Sequence, residues 1–436
     1  MRKKAILLII FLTGIGLFGS LKSEDYLILS KWDLWRGETK LRGANIYQRR
    51  VYPELDGPVF LGQGPVGPPY TQEDFAALAS MGANLVNISH PGLFSEKPPY
   101  HPDEKIIANL DRLLEMIHQA DLFAVISFRT GPGRSEFTFF WGEDGDWFDA
   151  SYYNDLIWID QAAQDAWVAM WRFTARRYRY HPAIVGYDLM VEPNANEIWL
   201  NLWDPEEFYR SYGGTLFDWN QLFPRIIKAI REVDPSTPIL VEAMSYGSLT
   251  WLPYLQPAAA PGIVYVFHQY SPYLYTHQEP GESGYFYPGR FDTDDDGQPE
   301  DFNKDWLGDF FSIVDEFKSR WSHPVAANEY GVVRWAPGAK NFLDDEIDLL
   351  EKKNINHAIW VWNPCWPPYN REIDAFDYRH GANPNNHTNL DNNPLLQVLQ
   401  KYWRRNRLRP SKVIFRPHPR EEKPRPGKIT YRLKKK

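Results

Sequence analysis

Two glutamates, Glu192 and Glu329, are placed so that they can perform acid–base chemistry together. Each lies at the end of a short apolar run, residues 184–191 and 324–328. Alternate residues of a strand share a face, and each glutamate comes at the end of its run. We therefore predict that both carboxylates lie at the same end of a sheet. Two facing carboxylates suit glycosidic hydrolysis, in which one protonates the leaving oxygen and the other attacks or activates water. We therefore hypothesise a glycosidase, although a single Glu at a strand end is ordinarily a solvated charge.

Composition narrows the remaining chemistry. The 436 residues include 18 Trp, 25 Tyr and 25 Phe, which supply a large core and flat rings suited to stacking on sugars. The single Cys365 allows no internal disulfide, and no His/Cys cluster indicates a catalytic metal or an organic cofactor. The net charge of −8 argues against nucleic acid as the main partner. We expect an oligo- or polysaccharide partner and a monomer.

The elements that must position these residues alternate in type along the chain. Strands are predicted at residues 41–46, 84–89, 123–129, 184–190, 238–244, 263–270, 324–330 and 357–363. Helical patterns are predicted at residues 71–81, 106–120, 160–180, 217–233, 249–255, 306–321, 340–353 and 394–405. Strand followed by helix eight times predicts an α/β fold, a (β/α)8 TIM barrel formed by residues 24–405.

Long loops follow predicted strands 3 and 6, at residues 130–159 and 271–305. Both are rich in aromatic residues, and chemistry in such barrels lies at the carboxyl ends of the strands and in the loops that follow them. We expect these two loops to build a binding cleft. The alternative is a pair of lids that pack only on themselves.

The chain resembles glycoside hydrolase family 5, whose cellulase-like barrels carry the acid on strand 4 and the nucleophile on strand 7. The resemblance rests on residues 41–46, 82–86, 186–193, 267–270, 328–331 and 359–362, which span almost the whole barrel. It implies Glu192 as acid/base and Glu329 as nucleophile, with carboxyl oxygens about 5–5.5 Å apart. It also implies His268 and Tyr270 near the nucleophile, and Trp362 as a sugar platform. The expected activity is retaining cleavage of β-linked glucan or mannan without an organic cofactor.

Three positions depart from the family pattern. Asn87 stands where the family usually has Arg in strand 2, Arg129 where it has His, and Val191 where it has the Asn before the acid. Valine cannot bind a sugar 2-hydroxyl, so we expect Asn194 or a loop residue to replace that contact. The departures leave open a glycosidase of unusual substrate, or a non-catalytic carbohydrate-binding barrel.

Arg129 is expected to compensate for the missing arginine of strand 2. Its side chain is long enough to point into the site towards Glu329 or the bound sugar, with Asn87 making room. Asn87 is itself a candidate substrate-binding residue. The alternative is that Arg129 pairs with an acid of the following loop, Glu136 or Asp144.

An acidic segment inside the second long loop resembles the opening of a calcium loop. Asp292, Asp294 and Asp296 alternate and are followed by Gly297, which suits a sharp turn. Position 12 of such a loop is Asn303 and not the usual Glu, so the match is partial. The prediction is a structural Ca²⁺, and the alternative is a solvated acidic turn.

The two ends of the chain are predicted to lie outside the barrel. Residues 1–23 join a basic start to a short apolar run, typical of a signal peptide, with a retained N-terminal anchor as the alternative. Residues 406–436 are basic and proline-rich, and they read as a solvated arm or as an adhesive segment for an anionic envelope. We expect a secreted, periplasmic or cell-envelope protein.

Overall fold

The computed structural model describes residues 26–57, 59–140, 142–143, 145–366 and 374–416. The signal or anchor predicted for residues 1–23 and the tail residues 417–436 lie outside this part of the chain. Within the described ranges, no helix combines the length and the apolar character that a bilayer crossing requires.

Eight parallel strands close into a barrel, which confirms the predicted fold. In chain order they are β1 (Arg42–Tyr47), β2 (Leu85–Pro91), β3 (Phe123–Thr130), β4 (Ile184–Asp188), β5 (Ile239–Glu242), β6 (Ile263–Gln269), β7 (Val325–Tyr330) and β8 (Asn356–Ile359). Each strand pairs with its neighbour in sequence, and β8 pairs with β1. All eight predicted strands are therefore present, with ends shifted by a few residues.

Amphipathic helices surround the barrel. They are Gln72–Ser80, Glu104–Gln119, Gln161–Tyr178, Trp219–Arg231, Lys304–Phe310, Ser312–Trp321, Ala339–Lys352 and Pro394–Trp403. Thr71 and Asp74 form a capping box at the first of them. The single helix predicted for residues 306–321 is two helices that meet at Phe311, and residues 249–255 form a 3-10 helix, Leu249–Tyr254.

The barrel interior changes character along its axis. At the amino ends of the strands it is filled by a small apolar cluster that includes Leu85, Val125, Leu240 and Val266. Towards the carboxyl ends the buried residues become polar. This inner polar layer consists of Asn45, Asn87, Ser127, Asp188, Glu242, His268 and Asn328. The barrel interior near the carboxyl ends of the strands is therefore held together by hydrogen bonds and charges.

The amino end of the barrel is covered by a small parallel sheet. Strand Leu27–Leu29 pairs with strand Val413–Phe415, and Phe415 packs against Phe123 at the base of β3. Residues 406–416 therefore pack on the barrel, although the sequence assigned them to a solvated arm. Apolar residues at 413 and 415 explain the difference, because they cover the lower cluster.

Both long loops are present after β3 and β6, as predicted. The first contains three 3-10 helices, Glu136–Phe139, Ala150–Tyr152 and Leu156–Trp158. The second contains a hairpin of Gly289–Phe291 and Glu300–Phe302. Some of their aromatic residues pack within the loops: Phe137 contacts Phe148 and Tyr152.

Candidate active site

Glu192 reaches the mouth of the barrel by a different route from the one predicted. Strand β4 ends at Asp188, and Glu192 lies in a left-handed conformation with φ of 55°. Arg134 fixes this turn by donating to the carbonyl oxygens of Val191 and Glu192, each at 2.6 Å. The backbone N–H of Glu192 donates to the Glu242 carboxylate at 2.7 Å. Alternation along β4 therefore predicts the correct end of the barrel for Glu192, but the position of Glu192 also depends on the turn that Arg134 and Glu242 hold.

The two glutamates approach each other closely at the carboxyl ends of β4 and β7. One carboxylate oxygen of Glu192 and one of Glu329 lie within 4.8 Å of each other and of a nitrogen of His268. His268 Nδ1 lies 2.9 Å from Glu192 Oε1 and 3.8 Å from Glu329 Oε2. The Tyr270 hydroxyl donates to Glu329 Oε1 at 2.8 Å. This separation agrees with the predicted short one and is well below the ~6.5–9.5 Å of an inverting pair.

Burial and mutual repulsion perturb the protonation of these groups. Burial raises the pKa of Glu329 to about 7, and the nearby His268 opposes that rise. Burial by itself lowers the pKa of His268, but the carboxylates of Glu242, Glu329 and Glu192 outweigh it and hold that pKa well above its ordinary value. Burial and the charge of Glu329 also raise the pKa of Tyr270, which stays a hydrogen-bond donor. The site therefore holds an anionic cluster around one imidazole.

Asn87 lies below the cleft and not in it. Its Nδ2 donates to Asn45 Oδ1 at 2.7 Å, and its Oδ1 accepts from the Ser127 hydroxyl at 2.7 Å. The side chain is buried within the inner polar layer. The expectation that Asn87 contacts substrate is corrected by this position, because both ends of the amide are already bonded.

Arg129 follows the alternative that the sequence left open. Its Nε donates to Glu136 Oε1 at 2.9 Å, and its guanidinium stacks on the Phe139 ring at 3.6 Å. Tyr47 donates to the same Glu136 oxygen at 2.8 Å. Arg129 is buried and acts on Glu329 only through space, by lowering its pKa. The predicted contact of Arg129 with Glu329 is therefore wrong, whereas its contact with a bound sugar stays a prediction; Asp144 lies outside the described residues.

Asn194 is engaged by protein groups. Its Oδ1 accepts from Arg134 Nη2 at 3.2 Å, and its Nδ2 donates to the Thr138 carbonyl at 3.3 Å. The residue is completely buried. The expected contact with a sugar 2-hydroxyl in place of Val191 is therefore not available at Asn194.

Trp362 lies behind the cleft wall. Its Nε1 donates to the Asp74 carbonyl at 2.9 Å, and the Arg379 guanidinium lies 4.4 Å from its ring. Trp360 is the better candidate for a sugar platform, because alternation from the inward Ala358 makes it the next inward residue, and it packs edge-on against Tyr47. The sequence contained the information that points to Trp360, because Trp360 is two residues after Ala358. Trp362 was chosen because the predicted strand 357–363 ends later than β8 does in the structure.

Sequence reasoning also missed Glu242 and Asp188. Glu242 ends β5 with the same parity as the inward Leu240, so the rule applied to β4 and β7 would have found it. Asp188 ends β4 and accepts from Asn328 Nδ2 at 2.6 Å. Burial and Glu242 hold the pKa of Asp188 well above its ordinary value, whereas the pKa of Glu242 lies low because His268 outweighs its burial.

The acidic segment forms the turn of the hairpin after β6. Carboxylate oxygens of Asp292, Asp294, Asp296 and Glu300 lie within 4.8 Å of one another. Asn303 instead caps the helix Lys304–Phe310. Four converging carboxylates suit the oxygen preference of Ca²⁺, and Glu300 is a fourth acidic group that the sequence pattern did not identify. Ca²⁺ binding at this turn stays a prediction.

A (β/α)8 barrel that brings two carboxylates together at the ends of β4 and β7 has the architecture of a retaining glycosidase. The model of the cellulase family, glycosyl hydrolase family 5, matches residues 55–365. The chain belongs to this family and is a retaining β-glycoside hydrolase, as the sequence predicted.

Curated and solved proteins agree with this membership. Endoglucanase C of Acetivibrio thermocellus is 25% identical over 339 residues, which cover 70% of this chain and 89% of that protein. Cellodextrinase A of Ruminococcus flavefaciens is 23% identical and covers 51% of this chain and 57% of that protein. The structure of endoglucanase Cel5A from Thermotoga maritima has a TM-score of 0.56 at 19% identity, covering 82% of this chain and 96% of that one. The structural likeness shows a shared fold.

Proposed function

We propose that this protein cleaves internal β-1,4 bonds of a glucan, with Glu329 as nucleophile and Glu192 as acid/base. The observation that carries the proposal is the approach of their carboxylate oxygens to within 4.8 Å. This distance leaves room for direct attack on the anomeric carbon but not for an intervening water. The names of the related endoglucanases support the choice of substrate and of internal cleavage.

The groups around the pair suit this mechanism. Retention requires one carboxylate to attack and one carboxylic acid to protonate the leaving oxygen. The Tyr270 hydroxyl fixes one oxygen of Glu329. His268 contacts Glu192 and so orients the second carboxyl group.

Exposed aromatic side chains on the catalytic face suit a polymeric substrate. Trp199 and Trp203, in the loop after β4, are 40% and 53% exposed, and Tyr273 and Phe286, after β6, are 68% and 47% exposed. Flat apolar rings stack on the apolar faces of pyranose sugars. Rings in two different loops favour a chain of several sugars over a single glycoside.

The roles of the two glutamates are tested with Glu192→Ala and Glu329→Ala on a dinitrophenyl cello-oligosaccharide and on soluble β-1,4-glucan. Glu192→Ala should retain the first reaction, whose leaving group needs no proton, and lose the second. Azide should then rescue Glu192→Ala with a β-glycosyl azide and Glu329→Ala with an α-glycosyl azide. Glu316→Ala, on an exposed helix face, is the control.

Three outcomes would contradict the proposal. Equal losses on both substrates in Glu192→Ala would remove its role as acid. Sugar binding without turnover in the unmodified protein would favour the non-catalytic barrel. Faster hydrolysis of β-1,4-mannan than of glucan would replace the proposed substrate.

We also propose that the protein acts as a monomer outside the cytoplasm. The support is the pattern of residues 1–23, a basic start followed by a short apolar run. An external location would place the enzyme where polymers too large to enter a cell are found.

A further inference from the structure

His268 is surrounded by carboxylates from β5, from β7 and from the turn after β4. Its Nδ1 lies 2.9 Å from Glu192 Oε1 and 3.8 Å from Glu329 Oε2, and its Nε2 lies 3.3 Å from Glu242 Oε1. Asp188, below it, bonds to Ser127 and Asn328. Both ring nitrogens therefore face carboxylate oxygens, Nδ1 at a hydrogen-bond distance from Glu192 and Nε2 at an ion-pair distance from Glu242. An imidazolium presents an N–H to each of them, whereas a neutral ring would turn one lone pair towards a carboxylate.

Glu242 is the partner that makes this charge stable. It is completely buried, and its other oxygen accepts the backbone N–H of Glu192 at 2.7 Å. The Glu242 side chain has no solvent-exposed surface, so it does not contact a bound sugar. Burial and the charge of Glu242 raise the pKa of the neighbouring Asp188, whereas His268 outweighs burial and lowers the pKa of Glu242, so Glu242 is the more readily ionised of these two carboxyl groups.

The position next to the nucleophile lacks another cation in direct contact among the described residues. Asn87 carries no charge, and Arg129 makes its ion pair with Glu136. Arg134 donates to backbone carbonyls and to Asn194. Tyr270, which also faces Glu329, is a neutral donor. Among the described residues, His268 is the basic side chain that lies within 4 Å of a Glu329 oxygen, at 3.8 Å.

We propose that Glu242 is a positioning residue which keeps His268 protonated, and that this imidazolium supplies the positive charge beside Glu329 that the strand 2 arginine supplies in the family pattern. The proposal rests on the function proposed above. It explains how a nucleophile remains usable although Asn87 has replaced the arginine and Arg129 does not reach it. Charge is supplied from β5 and β6, on the opposite side of the site from β2.

The test is Glu242→Gln, which keeps the shape and the acceptor for the Glu192 N–H. The Gln amide would donate to His268 Nε2 and so favour the neutral imidazole. The side chains at positions 242 and 268 would together carry no net charge before or after the change, but the positive charge beside Glu329 would be lost. Glu329 should then ionise only at higher pH. We expect the acidic limb of the kcat/KM profile to move up by about 1 to 3 pH units. Glu316→Gln, the same change on an exposed helix face, is the matched control and should leave the limb in place.

A second measurement separates this proposal from the proposed function. The ¹⁵N chemical shifts of His268 should report an imidazolium at pH 7 in the unmodified protein and a neutral ring in Glu242→Gln. A neutral ring in the unmodified protein would overturn the proposal even if the enzyme cleaves glucan. An unshifted acidic limb in folded Glu242→Gln would do the same. If the variant does not fold, the spectrum of the unmodified protein decides, and a protein without glycosidase activity still yields that spectrum.

Discussion

Replacement of Arg129 should reduce stability more than turnover. The Arg129–Glu136 pair is almost fully buried, with Nε and Oε1 2.9 Å apart. Arg129→Met would keep much of the packing on Phe139 but leave the Glu136 carboxylate without its cation. Removing one partner of a buried ion pair costs about 3–5 kcal/mol, because an uncompensated charge remains in the interior. We expect a loss of this size in the free energy of unfolding.

The double variant Arg129→Met with Glu136→Gln isolates the cause. The Gln oxygen can still accept from the Tyr47 hydroxyl, which donates to Glu136 at 2.8 Å, and no buried charge remains. We expect the double variant to recover at least half of the loss. Urea unfolding followed by tryptophan fluorescence gives both free energies, and kcat is measured well below the transition. The reasoning would be refuted by a double variant as unstable as the sum of its single changes, or by a loss below about 1 kcal/mol in Arg129→Met.

Two further predictions concern the outer parts of the catalytic face. Trp203→Ala should raise KM for long glucans at least tenfold with an unchanged melting temperature, because its half-exposed ring can stack on a sugar. The control Trp321→Ala removes a similarly exposed ring at the end of the helix that precedes β7. Equal effects of both variants on KM would contradict the placement of Trp203 in the substrate-binding region. Millimolar Ca²⁺ should raise the melting temperature relative to chelator, since only the folded hairpin gathers Asp292, Asp294, Asp296 and Glu300, and the shift should vanish in Asp292→Asn; no shift in the unmodified protein would support the solvated turn.

The sequence predicted the barrel and the glutamate pair because both depend on local periodicity. The order of strands along the chain was enough to bring Glu192 and Glu329 to one end of the barrel, although the exact position of Glu192 depends on the turn after β4. The direction of Arg129 was not accessible in this way, since its guanidinium bonds to Glu136 and stacks on Phe139, both in the loop after β3. The choice depends on loop packing, which periodicity does not describe.

The polar interior of the barrel was the other part that sequence reasoning could not resolve. Asn87 was interpreted through the residue it replaces, whereas its bonds to Asn45 and Ser127 come from strands on either side. Hydrogen bonds between strands depend on register, and register was not available from one sequence. Glu242 was overlooked for a simpler reason, because attention was confined to the two strands that carry the reacting pair.

The small sheet of Leu27–Leu29 and Val413–Phe415 has a practical consequence for attaching this enzyme to other objects. Both strands lie at the amino end of the barrel, and they run in the same direction with Leu29 beside Phe415. A bead, an electrode or a scaffold protein that is coupled next to Leu27 or Phe415 would therefore contact the face of the barrel opposite the carboxylates. An enzyme immobilised in this way would keep its mouth turned towards the solution, where a bulky fibre can approach.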